Sequence, residues 1–241
     1  MNRTVAFVYG LAAYAVFLVT FLYAIGFVEN VVVPKSVDSG LDGPGGQALV
    51  VNILLLGLFG LQHSVMARPQ FKRWWTRSVP PAVERSTFVL LASLLLGLMM
   101  WQWRPMSSIV WHMGQSVGRA ALIALSYGGW LLVLYGTFVI DHFDLFGLRH
   151  VFLHLRGIKY THPPFVERSV YKLIRHPLML GFIIAFWAAP TMTQGHLLFA
   201  AVATGYILVG IRLEERDLLA ILGEDYRRYR MRTPMLLPFR R

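Results

Sequence analysis

The chain has no cysteine, which excludes disulfides, cysteine-ligated zinc, iron–sulfur clusters and a cysteine nucleophile while leaving the redox compartment unread. Charge is scarce as well. Only 15 % of the 241 residues are Asp, Glu, Lys or Arg, against about 25 % in a soluble domain. Acidic residues are scarcer than basic ones, 12 against 23, for a net charge of +11. An excess of that size invites a nucleic-acid partner, but these cations flank long apolar runs and form no single soluble basic surface. No repeat of fixed period and no low-complexity segment is visible, and nothing bears on oligomeric state.

What is present in quantity is hydrophobic residues, 56 % of the chain. Residues 5–28 form a first apolar run, longer than the core of a cleavable signal and without a small-residue cleavage site after it, so it reads as a retained span. Residues 29–47 hold Pro34, Gly40, Gly43, Pro44, Gly45 and Gly46 and read as an irregular loop. Further spans are expected over 48–67, 86–103 and 119–140, with Trp74, Trp75, Trp101 and Trp103 as interface anchors. Residues 141–172 are too polar to cross. Phe143, Phe146, Leu148, Val151, Phe152 and Leu155 suggest an amphipathic helix lying in the membrane surface.

A helical hairpin closes the chain, with arms over 178–189 and 197–211 and a turn around 190–196. The first arm has too few apolar residues for a span of about 20, so either its helix begins near Tyr171 or the hairpin is re-entrant; a full hairpin is the favoured form. With six crossings and a cytoplasmic N-terminus, 20 of the 23 cations fall inside, leaving Lys35, Arg104 and Arg119 outside. The expectation is therefore an all-α polytopic bundle of five to six membrane segments. Both termini would be cytoplasmic, in a bacterial inner membrane. Residues 1–140 would serve as the transmembrane part and 141–241 as the catalytic region.

Charges crowd both ends of the hairpin: Arg175-His176-Pro177 before it, Arg212, Glu214, Glu215, Arg216 and Asp217 after it. Folding back brings the two ends to one surface. Arg175-His176-Pro177 reads either as a basic anchor with a helix-starting proline or as part of a site. The glutamates read either as salt-bridge partners or as carboxylates that grip a ligand ammonium. Gly223 should cap the second arm, with Tyr226 and Tyr229 adjacent on a short helix after it. His150 and His154 have a metal-compatible spacing but no third ligand, and read as interface histidines.

The ordered set Arg-His-Pro-x-x-x-Gly, apolar hairpin, Glu-Glu-x-x-Leu, Gly-x-x-Tyr-x-x-Tyr and a terminal proline resembles the isoprenylcysteine carboxyl methyltransferase-like superfamily of membrane enzymes. Met179 departs from that pattern, where an aromatic is common. The run 141–149, with His154-Leu155-Arg156-Gly157, Tyr160-Thr161-His162, Thr191-Met192-Thr193 and residues 195–199, is similar to the bacterial methanethiol S-methyltransferase family; Gln62-His63-Ser64 matches more weakly. The resemblance implies S-adenosylmethionine as cofactor and methyl transfer to a small volatile thiol. It implies a cofactor site at the cytoplasmic face, built from Arg175, His176, Pro177, Leu180, Gly181, Glu214 and Glu215. Arg175 or Arg149 is expected to meet the methionine carboxylate and a glutamate its ammonium, with Tyr160, His162 and Tyr226 roofing the site. The acceptor must ionise, and a free thiol has a pKa of about 8.5. His142, flanked by Asp141 and Asp144, is the first choice of base and His63 the second. No metal is expected. A lipid-amine or prenylcysteine methyltransferase and a non-catalytic transport component stand as alternatives.

Overall fold

A computed structural model describes residues 1–41, 43–162, 165 and 167–238. Arg240 and Arg241, counted above among the cytoplasmic cations, lie outside the described residues. In chain order the elements are α1 (Arg3–Glu29), α2 (Gly45–Ala67), α3 (Pro69–Trp75), α4 (Pro81–Gln102), β1 (Ile109–His112), α5 (Val117–Ile140), α6 (His142–Leu145), α7 (Leu148–Leu155), α8 (Pro177–Trp187), β2 (Thr191–Thr193), α9 (Gln194–Leu222) and α10 (Glu224–Arg232). A 3-10 turn, Ser169–Lys172, precedes α8. Among the described residues five helices, α1, α2, α4, α5 and α9, are long and apolar enough to cross a membrane. Large apolar side chains stand exposed along them, Val19 at 68 % and Leu131 at 66 % among them. Water does not tolerate such belts, and lipid does. This is an all-α integral membrane protein.

The chain divides into two compact units, Met1–Ser107 with Asp141–Pro163, and Ser108–Ile140 with Pro164–Arg241. In the first unit α1 packs on α4 and α7, and α4 also packs on α2. Asn2 caps α1 by accepting from the Thr4 amide, and Asn30 ends it in the left-handed conformation. Val151 of α7 presses so closely on Gly10 of α1 that a Cβ there would meet it at 2.5 Å. The short α6 and α7 replace the single surface helix expected. Phe146, Leu148 and Val151 turn inward while Phe143 and Phe152 stay exposed. Trp103 corrects an expectation. It is fully buried, its indole N–H donating to the Val37 carbonyl at 3.0 Å, so it is a core residue and no interface anchor.

In the second unit α8 lies along α5. The two backbones touch: a Cβ on Gly129 would stand 2.6 Å from the Gly181 carbonyl, and one on Gly181 2.7 Å from the Gly129 carbonyl. Ser126 extends the seam by donating to the Ala185 carbonyl. Of the two forms expected for the first arm of the hairpin, a helix beginning near Tyr171 is not found. α8 has 11 residues, about 16 Å at 1.5 Å per residue, and starts at Pro177 instead of near Tyr171. Proline has no amide to give a preceding turn and biases the residue before it away from helix; His176 is accordingly non-helical, with φ −126° and ψ 60°. At its far end the chain becomes extended and β2 pairs antiparallel with β1. Thr193 then caps α9 by accepting from the His196 amide. Gly223 ends α9 with positive φ, as expected.

Candidate functional site

The hairpin closes as its charges suggested. Within the second unit the Glu215 carboxylate accepts from Arg175 Nε at 2.7 Å, lies 3.1 Å from His176 Nε2, and meets Arg230 Nε at 3.3 Å. The carboxylate and the Arg175 and His176 side chains are buried, at 7, 9 and 6 % exposure. Glu214 is different: its side chain is half exposed, 3.8 Å from His176 Nδ1. Arg175 also donates to the carbonyls of Arg230 and Thr233. Backbone hydrogen bonds from Arg175 to Pro234 and from His176 to Met235 tie the start of α8 to the segment after α10. Tyr226 and Tyr229 are buried beside each other, and the Tyr229 hydroxyl donates to the Tyr171 carbonyl. Burial, with Glu167 adding to it, pushes the Tyr229 phenol up to about 12. Pro177 is buried and Leu180 half-buried. The close approach that Gly181 permits is taken up by α5. An open cleft of about 530 Å³ beside α10 is lined in part by Arg230 and Glu224.

The first unit holds a second cluster. His142 is 6 % exposed, and its Nε2 is 2.8 Å from the Tyr14 hydroxyl. Asp141 has φ +127°, a region a non-glycine residue rarely occupies, and its carboxylate caps α6 by accepting from the Asp144 amide at 3.1 Å. Asp144 in turn accepts from Arg149 Nη1 at 2.9 Å and from the Tyr160 hydroxyl at 3.1 Å. Tyr160 stacks on His150, ring centroids 3.9 Å apart, and its hydroxyl is 3.3 Å from His162 Nδ1. Arg149 lies over the Tyr160 ring and donates to the Thr161 carbonyl. Burial holds the His142 imidazole below its ordinary pKa despite Asp141, so it is neutral at neutral pH. Burial also pushes His150 down to about 4, and burial followed by Asp144 pushes Tyr160 up to about 12.

His63 is enclosed by aromatic rings, its centroid 5.6 Å from Phe59 and 5.0 Å from Phe88. Its neighbour Gln62 donates to the Met66 sulfur. The Gln62 side-chain oxygen Oε1 and the Trp75 indole nitrogen are buried without a hydrogen-bond partner among the described residues.

A Mycobacterium tuberculosis protein described as methanethiol S-methyltransferase is 59 % identical over 239 residues, 99 % of this chain and 98 % of that one. The chain belongs to the methanethiol S-methyltransferase family. A Bradyrhizobium diazoefficiens methanethiol S-methyltransferase 1 is 55 % identical, with 99 and 84 % of the two chains covered. One from Crocosphaera subtropica is 49 % identical, with 99 and 94 % covered. No protein-family profile matches the chain. No solved structure matches it either.

In this methanethiol S-methyltransferase family member the structure joins Arg175, His176 and Glu215 in one unit, and His142, Asp141, Asp144, Arg149 and Tyr160 in the neighbourhood of one turn of the other. Three participants escaped sequence reasoning. Arg230 was one cation in a basic run, and the carbonyls of Thr233 to Met235 carry no side-chain signal. Tyr14 is one of three phenols, with Tyr9 and Tyr23, in an apolar helix.

Proposed function

We propose that the chain transfers a methyl group from S-adenosylmethionine to methanethiol, giving dimethyl sulfide and S-adenosylhomocysteine. The observation that carries this reading is the 59 % identity, over nearly all of both chains, to a relative described by that activity. The donor set supports the cofactor. Its amino-acid end carries an ammonium and a carboxylate, and Glu214 is an accessible carboxylate backed by the buried Glu215. We assign Glu214 and Glu215 to the ammonium, Arg175 to the carboxylate, and His176, Pro177 and Leu180 to the adenosine. Tyr226 we assign to the border of that site. Gly181 we assign to packing against α5, on the strength of its contact.

When bound, the cofactor supplies an electrophilic methyl group on a sulfonium. The chain's own work is alignment, exclusion of water and removal of the thiol proton. Apolar helices exclude water, which favours a reaction in which opposite charges cancel. His142 is the base, because it is neutral at neutral pH and has a ring nitrogen within hydrogen-bond reach of a hydroxyl. His63, in its aromatic enclosure, is the reserve candidate. Most of the chemistry then falls in residues 141–241, with residues 1–140 chiefly embedding it in the membrane. The charge distribution supports both termini on the cytoplasmic side of a bacterial inner membrane.

The test is direct. Protein purified in detergent should convert S-adenosylmethionine and methanethiol to dimethyl sulfide, followed in the headspace by gas chromatography. Glu214→Gln should raise the Kd for the cofactor. Cofactor binding without dimethyl sulfide would move the acceptor to a lipid amine or prenylcysteine, and absence of both would refute the reading.

A further inference from the structure

Tyr14 stands on α1 among apolar neighbours, and its hydroxyl meets the buried His142 at 2.8 Å. The two rings are edge-on, with centroids 5.8 Å apart at 82°. Phe17 and Phe143 also flank the phenol. His142 is buried, whereas Tyr14 is only half-buried. A small thiol therefore reaches the phenol more readily than the imidazole behind it. The charged and titratable groups around His142 are Asp141 and Asp144 on its own turn, Arg149 and His150 of α7 gathered on Asp144, and Arg85 of α4, which donates to the Leu145 carbonyl. From α1 the facing group is Tyr14.

Resting on the function proposed above, we propose that Tyr14 is the thiol-facing member of a Tyr14–His142 proton relay. The S–H bond breaks, its electron pair stays on sulfur, and the proton goes to the Tyr14 oxygen. The proton already on that oxygen passes to His142 Nε2. The result is a thiolate beside a neutral phenol, with the charge on an imidazolium that later loses its proton to water. No oxidant or further reactant is needed. The relay requires the Nδ1–H tautomer of His142, because only then does Nε2 accept. An Nε2–H donating to the phenol oxygen would give the same heavy-atom distance and could carry no proton in this direction.

Two measurements test it. Nitrogen-15 NMR of histidine-labelled protein in detergent, with His142→Gln to assign the signal, should show the Nδ1–H tautomer; Nε2–H would overturn the relay whatever the activity. Tyr14→Phe should lower kcat/KM for methanethiol at least about 100-fold near neutral pH, the scale of a lost general base. The remaining rate should climb about tenfold per pH unit toward the pKa of the free thiol, where the unmodified protein is flat above the His142 pKa. A merely structural phenol would give a loss independent of pH, which overturns the proposal, as does no loss. Calorimetric binding of S-adenosylhomocysteine checks that the variant is folded. Should it fail to bind, the tautomer decides. Unmodified protein that makes no dimethyl sulfide refutes the function and leaves the tautomer as a separate result.

Discussion

Replacing Glu215 by alanine removes the one carboxylate shared by Arg175, His176 and Arg230. Two of those partners are at most 9 % exposed, so they cannot turn to water in its place. Breaking a buried ion pair by deleting one partner costs about 3–5 kcal/mol, because a charge is stranded. Arg175 keeps its hydrogen bonds to the Arg230 and Thr233 carbonyls, and Arg230 is half exposed. The cost should therefore sit near the lower end, about 3 kcal/mol. Glu215→Gln keeps an acceptor and should cost about 1.5–3 kcal/mol, the scale of a hydrogen bond to a charged group. Denaturant unfolding in detergent reads both. A double-mutant cycle with Arg175→Met should show coupling of about 1–3 kcal/mol, since removing both partners strands less charge. If Glu215→Ala cost less than about 1 kcal/mol, the cluster would have to be open to solvent and the reasoning would fail.

Gly181→Ala should destabilise by about 1–3 kcal/mol through a forced separation of α8 from α5; unchanged thermal unfolding would show that the seam yields freely. Glu214→Gln should weaken cofactor binding with little effect on stability, because the side chain is half exposed; calorimetry and a melting curve separate the two, and unaltered binding would remove Glu214 from the site. His142 and His150 both have pKa values lowered mainly by burial. The folded protein binds their protons less tightly than the unfolded chain. Their stabilising contribution is therefore full above about pH 6.5 and declines as pH falls toward the folded values, about 4 for His150. The double variant His142→Gln/His150→Gln should flatten this acid limb of Tm against pH, and a slope unchanged by it would refute the assignment.

Long apolar runs, their flanking cations and the capping glycine were legible because each is a local property. A span of 20 apolar residues has few other homes than lipid, and Gly223 needs only its own φ. The meeting of Arg175 with Glu215 was legible too, since a hairpin with charged ends leaves few alternatives. Sequence could not set the length of α8: its short apolar run is completed by β2, whose partner β1 lies some 80 residues earlier. Nor could it distinguish Trp101, which is exposed, from Trp103, which is buried and hydrogen-bonded to Val37. The Tyr14–His142 contact joins residues 128 positions apart, and neither has a signature for the other. Composition and periodicity thus determined that this chain enters a membrane and which ends carry charge. Which polar atom faces which across a dry interior was decided by packing alone, because an atom deprived of water must find its partner wherever the tertiary fold puts one.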